Sequence, residues 1–301
     1  MDSPKVSIVT PVYNRLEYTR AYLNSLRKVD YPNFEVVIVD DASNDGSYET
    51  ISIEYPEVIL LRGNGNLWWA GGTNTGIRYA LENGTDYILT LNNDVEVDSA
   101  FLTALVRCAE ENPKSLVGAK IYNYHQQNEV TYFGGVTDWK KGEIYHICGR
   151  ESDDPERFSK LQEAEWLTGM GILIKASYFN DIGFFDAKKF PQYAADADFT
   201  MRARQKGYRL LVEPKSIIWN KVESTGVQLS QNHFSNLFIK ALFSLRSTYH
   251  LKTNFCLYWR HCPRRYFVRA LFMLYARFYY SRIKASVLRL ACKLTQSAGT
   301  D

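Results

Sequence analysis

From Lys5 to about Lys120 the chain alternates short apolar runs with helical patterns. Val6 to Thr10, Phe34 to Asp40, Val58 to Leu61, Tyr87 to Asn92 and Leu116 to Ile121 are aliphatic runs bounded by turn formers, which predicts strands. A helix is expected from near Arg15, with Leu16, Tyr22, Leu23 and Leu26 on one face, and another from Asn74 toward Leu81. Such alternation needs crossover helices and predicts an α/β fold with a largely parallel sheet. From about Asn123 to Glu165 the pattern loosens into polar, Gly-containing segments, expected to form a β-ribbon and loops over a site. Ile172-Leu173-Ile174 and Arg209 to Val212 predict two further strands, and Phe199 to Lys206 a helix capped by Asp198.

Four polar patches are expected at the ends of predicted strands: Thr10-Pro11-Val12-Tyr13-Asn14, Asp40-Asp41-Ala42-Ser43, Asn92-Asn93-Asp94 and Ala195-Asp196-Ala197-Asp198. In an open α/β sheet the carboxyl ends of the strands form the ligand crevice, so polar residues recurring there point to a ligand more than to packing. Asp40 or Asp41 can accept from a pyrimidine N–H, Thr10 offers a hydroxyl and Tyr13 an aromatic wall. A plain turn is the competing reading of Asp41 to Ser47. Gly65, Gly71 and Gly72 would let backbone approach a nucleotide sugar, although Gly63 and Gly65 lack the third glycine of a dinucleotide fingerprint. Trp68 and Trp69 read equally as pocket wall or core.

The 301 residues suffice for one large α/β domain with an appendage, or for two smaller domains. Cys108, Cys148, Cys256, Cys262 and Cys292 are odd in number and without C-x-x-C spacing, which argues against a disulfide framework or zinc site and favours a reducing compartment. No apolar signal segment precedes the first strand, so export is not expected, and Asn83-Gly84-Thr85 reads as a helix-ending turn rather than a glycosylation acceptor. The net charge of +3 is uneven: residues 231–301 carry twelve Lys or Arg against one acid, Asp301. Basic and aromatic residues interleave there, among them Phe234, Phe238, Trp259, Arg264, Arg265, Phe272 and Tyr280, with no apolar run approaching the roughly 20 residues that span a bilayer. The segment fits a helix lying on an anionic membrane surface, with a cap packed on the domain or an oligomer interface as alternatives. No recognition module for nucleic acid accompanies it.

Taken in order, the segments 6–14, 39–47, 65–74 (Gly-Asn-Leu-Trp-Trp-Ala-Gly-Gly-Thr-Asn), 91–95 and Asp196-Ala197-Asp198 before Arg202 resemble glycosyltransferase family 2, whose members are inverting enzymes of the GT-A fold. The resemblance spans roughly residues 4 to 226, and the glycine-rich segment is most similar to rhamnosyl- and galactofuranosyltransferase-like members that build bacterial surface glycans. It implies a catalytic domain over 1–230, with a nucleotide-binding half at 1–122 and an acceptor-binding half at 123–230, followed by a helical segment at 231–301. Thr10, Pro11, Tyr13, Asn14, Asp40, Asp41, Gly71, Gly72, Asn74, Asn92 and Asn93 would hold a nucleoside diphosphate sugar, uridine- or deoxythymidine-linked. Asp94 would bind Mg²⁺ or Mn²⁺, which stabilises a departing diphosphate. Asn92-Asn93-Asp94 departs from the Asp-x-Asp motif, and Asn220 stands where a metal-binding His is common. Weak binding by Asn220, help from Glu223, or partial replacement of cation charge by Lys221 would each answer the second departure. Asp196 would be the general base, its usual acidic neighbour replaced by Ala195. Asp198 could share the role, although a cap is favoured, and Arg202 and Arg204 read as phosphate contacts or as solvated face. Trp166, Gly169 and Met170 match the acceptor-side strand entry, or a plain tight turn. The expected activity is transfer to a hydroxyl of a glycan or polyprenyl-linked acceptor in polysaccharide synthesis, at the cytoplasmic face of the membrane, with homo-oligomers compatible. A weakened GT-A scaffold and a nucleotidyltransferase are the other classes considered; the latter lacks a Gly-rich, Lys-containing N-terminal signature.

Overall fold

The computed structural model describes residues 3–221 and 240–281; Glu223, Phe234, Phe238, Cys292 and the rest of 222–239 and 282–301 lie outside them. Strands β1 (Val6–Val12), β2 (Phe34–Asp40), β3 (Ile59–Arg62) and β4 (Tyr87–Thr90) pair in parallel in the order β3-β2-β1-β4. Helices α1 (Leu16–Leu26), α2 (Ser47–Glu54) and α3 (Trp68–Glu82) make the crossovers. Val37, Ile38 and Val39 are fully buried, as a strand covered on both faces requires, which is why β2 reads as a continuous apolar run.

Beyond β4 the sheet becomes mixed. β12 (Ile172–Lys175) runs antiparallel to β4 and to β6 (Ser115–Asn123), while β13 (Arg209–Asn220) is parallel to β6 and antiparallel to β5 (Val95–Val97). The loosely patterned stretch supplies β7 (Glu129–Tyr132), β10 (Gly149–Arg150) and β11 (Gln162–Glu163) at the sheet's far side, plus a separate hairpin of β8 (Gly135–Asp138) and β9 (Glu143–His146). Helix α4 (Phe101–Glu111) packs on β6 and β13, and α5 (Tyr178–Ile182) and α6 (Ala195–Gln205) follow β12.

Two helices start earlier than the pattern predicts. α3 begins at Trp68, so Gly71 and Gly72 lie inside it instead of in a loop. A Cβ at Gly72 would sit 2.7 Å from Pro11 Cβ, and one at Gly76 2.5 Å from Val9 Cγ1, so these glycines let the helix press onto β1. α6 begins at Ala195 behind Ala194, which puts Asp198 in its first turn and not at its cap.

Asp198 instead joins the C-terminal segment to the domain. It is wholly buried; its Oδ2 accepts from Arg202 Nε (3.0 Å), and its Oδ1 from Arg260 (2.7 Å) and His261 Nε2 (2.9 Å) of α7 (Leu251–His261). Burial alone would raise its pKa, but the His261 hydrogen bond and the Arg202 and Arg260 charges hold it below the usual carboxylate range. A last helix, α8 (residues 267–281), crosses the β8–β9 hairpin. There Arg277 and the Tyr258 hydroxyl donate to the Gly142 carbonyl, and a Cβ on Gly142 would overlap the Ala270 backbone. The described part of the basic segment is therefore packed on the domain along one side. No helix among the described residues is long and apolar enough to cross a membrane.

Gly76→Ala should lower the unfolding free energy by about 1–2 kcal/mol in chemical denaturation, because overpacking outweighs the helix propensity gained. Asp198→Asn should cost about 3 kcal/mol, since it removes the buried charge that the partly buried Arg202 and Arg260 face. The Asp198 contribution should be complete above its unfolded pKa of about 3.9 and fade as pH falls through the lower folded-state value, a slope that denaturation of the Asn variant should lack.

Candidate active site

The carboxyl ends of β1 and β2 lie side by side, with Val12 opposite Asp40. Asp40 is fully buried; Oδ1 accepts from the Ser43 N–H (2.9 Å), while Oδ2 has no hydrogen-bond partner. Asp41 is used differently: Oδ1 takes the Gly65 N–H (2.8 Å) and Oδ2 the N–H groups of Leu67 (2.9 Å) and Trp68 (3.0 Å), so it fastens the glycine-rich segment at the start of α3. Tyr13 stands 47% exposed just past β1. Asn14 accepts from Asn44 N–H and donates its own N–H to Ser43, tying the first two strand-end loops together.

Several residues expected at the donor are turned to packing. The Thr10 hydroxyl is buried against the Tyr22 hydroxyl (2.6 Å), Pro11 lies against Gly72, and Asn74 is paired in both directions with the Phe185 backbone (2.8 and 3.1 Å). A buried polar group satisfied in this way has little left to offer a ligand. Gly71 lies a turn into α3, where a Cβ would be 3.3 Å from Leu67 Cβ.

A second corner forms where β5 meets the end of β13. Asn220 pairs with Val95, and the Lys221 N–H donates to the Asp94 carbonyl (3.0 Å), so Asp94 and Asn220 sit beside each other although 126 positions separate them in the chain. Both are buried, and Asn220 Oδ1 has no hydrogen-bond partner. The Arg15 guanidinium lies 3.9 Å from Asp94 Oδ2, and Lys221 Nζ pairs with Glu96 (2.7 Å). One carboxylate and one orphaned amide oxygen fit a hard divalent cation that takes its remaining ligands from phosphate and water. Among the described residues no group of three or more His, Cys, Asp or Glu gathers at one point.

Asp196 opens α6. Its Oδ2 accepts the Gly169 N–H (2.7 Å) and its Oδ1 the Ala197 N–H (2.8 Å), which fixes the carboxylate while each oxygen keeps a second lone-pair direction. Trp69 connects this corner to the one above. Its indole ring covers Gly169, where any Cβ would overlap it, and its N–H donates to Asn92 Oδ1 (2.8 Å). The link runs from Asp196 through Gly169 and Trp69 to Asn92, two residues before Asp94. Asn93 is held by Thr19 (2.9 Å). On the far flank Trp166 packs on Gly135, and Tyr132 takes the Thr168 N–H while donating to the Trp166 carbonyl. Met170 is partly buried against the core.

Sequence reasoning missed His146, Arg15 and Tyr193. The His146 ring packs edge-on to Tyr132 at 5.1 Å and beside Trp166, and this withdrawal from water lowers its pKa while the Asp196 carboxylate pulls it up, although part of the residue stays exposed. Burial raises the pKa of Tyr193, the charges of Arg15 and Arg246 oppose the rise, and Asp94 adds to it. Backbone strain in the structure marks Arg15 and the neighbour of Tyr193, but not His146. Of six non-glycine residues with positive φ among the described residues, Asn14, Arg15, Ala42, Trp68 and Ala194 flank these loops, and only Lys114 does not. Such conformations cost roughly 1–2 kcal/mol each and persist where surrounding contacts enforce them.

Residues 7–163 match the family described as Glycosyl transferase family 2. An uncharacterized protein of Mycobacterium tuberculosis is 31% identical over 217 residues, covering 70% of this chain and 72% of that protein. The poly-beta-1,6-N-acetyl-D-glucosamine synthase of Staphylococcus epidermidis is 22% identical over 227 residues, and the matched region spans 73% of this chain and 50% of that one. A crystal structure of GalNAc-T7 with UDP, GalNAc and Mn2+ superposes over 72% of this chain and 44% of that chain, with a TM-score of 0.59 at 16% identity, a likeness of fold. The mixed sheet followed by helices is thus the GT-A arrangement that the motifs led us to expect.

Trp69→Phe keeps a ring over Gly169 but deletes the N–H to Asn92. It should cost about 1 kcal/mol in chemical denaturation, the ordinary net worth of one hydrogen bond.

Proposed function

The chain belongs to glycosyl transferase family 2, and on that premise we propose that it is an inverting transferase that moves a sugar from a uridine- or deoxythymidine-diphosphate donor to a hydroxyl of a glycan or lipid-carried acceptor. One observation carries this reading: Trp69 donates to Asn92, two residues before Asp94, and covers Gly169, whose N–H is held by Asp196, so a short run of contacts links the two carboxylates. The named synthase relative supports a role in bacterial polysaccharide assembly. Rhamnose is the donor sugar favoured by the glycine-rich segment.

In this reading the buried Asp40 uses its unpartnered Oδ2 to accept from the N–H of a pyrimidine, a group that each of the two nucleobases presents. Tyr13 provides the exposed aromatic face beside it. Asp94 and Asn220 would hold a divalent cation, which when bound offsets the charge gathering on the departing diphosphate. Arg15, 3.9 Å from Asp94, adds fixed positive charge at the same place. Across the sugar, Asp196 accepts the proton of the acceptor hydroxyl as that oxygen bonds to the anomeric carbon and the bond to the diphosphate breaks. The Gly169 and Ala197 amides orient the carboxylate for this step. Trp166 and Gly169 border the acceptor side.

A second reading, a weakened domain that binds without turning over, has specific support in Ala195 and Asn220, where the family's usual acid and His are absent. Sugar transfer assayed with uridine- and deoxythymidine-diphosphate sugars separates the two. Asp196→Ala should lower kcat about 10²–10⁴-fold with donor affinity retained. Asp94→Ala should weaken donor binding as well as turnover. Parental turnover by either variant would defeat the assignment, and tight nucleotide-sugar binding by the parent without transfer to any acceptor would favour the second reading.

A further inference from the structure

The C-terminal helices have two unlike sides. Inward, Leu257, Tyr258, Ala270 and Phe278 are buried, and Arg260, His261 and Arg277 are tied to the domain. Outward, Phe255 is 45% exposed and Trp259 52%; their rings lie parallel with centroids 6.0 Å apart, and Phe267 stands edge-on to both. Val268 and Phe272, one turn apart on α8, are 76% and 68% exposed. Cations border these residues: Arg264 stacks over the Trp259 ring at 3.9 Å, and Lys252, Arg265 and Arg269 are exposed. Residues 240–281 contain no Asp or Glu, so no acid on this segment neutralises the face.

We propose that the outer face of α7 and α8 is a docking surface for an anionic lipid bilayer, with the rings of Phe255, Trp259 and Phe272 entering the headgroup boundary and the flanking arginines meeting lipid phosphates. Large exposed apolar side chains bordered by cations are the composition of an interfacial helix. A second copy of the chain fits poorly, because a two-fold contact through this face would bring together two sets of cations with no acid on either segment to pair them. Single-stranded RNA would use the rings and the cations but gives no reason for the exposed aliphatic Val268. The proposal extends the transferase reading to the surface on which a lipid-carried acceptor would sit, yet it rests on this face alone. The ion cluster gives the surface a fixed relation to the chemistry: Arg260 and His261 of α7 grip Asp198, two residues after Asp196 on α6. A bilayer against the outer face would therefore hold the base-bearing helix at a set orientation.

Flotation of the full chain with vesicles tests this. The parent should float with phosphatidylcholine–phosphatidylglycerol vesicles and remain behind with phosphatidylcholine alone. Arg264→Gln with Arg265→Gln should weaken binding on the order of ten- to hundred-fold, given about 1 kcal/mol for each basic group at an anionic surface. Trp259→Ser with Phe272→Ser should weaken it comparably, and thermal melts matching the parent would show both variants folded. The idea is overturned if the parent ignores anionic vesicles, binds neutral ones equally well, or keeps its affinity in both folded variants. It is equally overturned if the serine variant loses self-association or RNA binding while vesicle binding persists. Vesicle binding needs no donor or acceptor, so failure of the transferase assay leaves this result readable, and the reverse also holds.

Discussion

A carboxylate withdrawn from water must be met by donors, and the way each buried acid of this chain satisfies that demand sorts scaffold from site. Asp41 is saturated by three backbone amides and Asp198 by two guanidinium groups and an imidazole. Both are used up in holding elements together. Asp40 keeps one oxygen without a hydrogen bond, and Asp196 is held by two amides yet only half buried. Incomplete satisfaction is costly in a finished fold, and it is tolerated where a ligand completes it.

The strands were legible because a sheet covered on both faces demands uninterrupted aliphatic runs, and Val36 to Val39 or Ile172 to Ile174 admit few other readings. The start of α3 was not. Glycine weakens a helix, so Gly71 and Gly72 argued for a loop, whereas Gly72 and Gly76 give up helix propensity for contact with β1 that no larger residue could make. Asp198 was misread for a related reason. Position near a helix start suggests a cap, but its partners Arg260 and His261 come from 62 and 63 residues downstream, beyond what local pattern conveys. The mixed part of the sheet was hidden likewise, since alternation predicts crossovers but not the antiparallel insertion of β12.

Within the candidate site, motif spacing found residue types better than their employment. Asp94 and Asn220 were named together, and the pairing of β5 with β13 sets them side by side. Thr10 and Asn74 share the same motifs but face the interior, a distinction made by tertiary hydrogen bonds alone. Trp69, left undecided between wall and core, touches both corners and is in that sense each. His146 had no sequence signal at all, because the loosely patterned stretch that carries it acquires meaning only when the hairpin folds back beside Trp166.

The hairpin turn has one more consequence. The carbonyl of Gly142 is occupied by Arg277 and Tyr258, and its α-carbon is pressed so close to Ala270 that no side chain would fit. Trp139, in that same hairpin, packs edge-on to Tyr258 at 5.4 Å. Shortening the chain before residue 250 to obtain a better-behaved protein would thus strip the backing from the hairpin that carries His146, and a crystal or assay of the trimmed form would describe a molecule with a loosened flank.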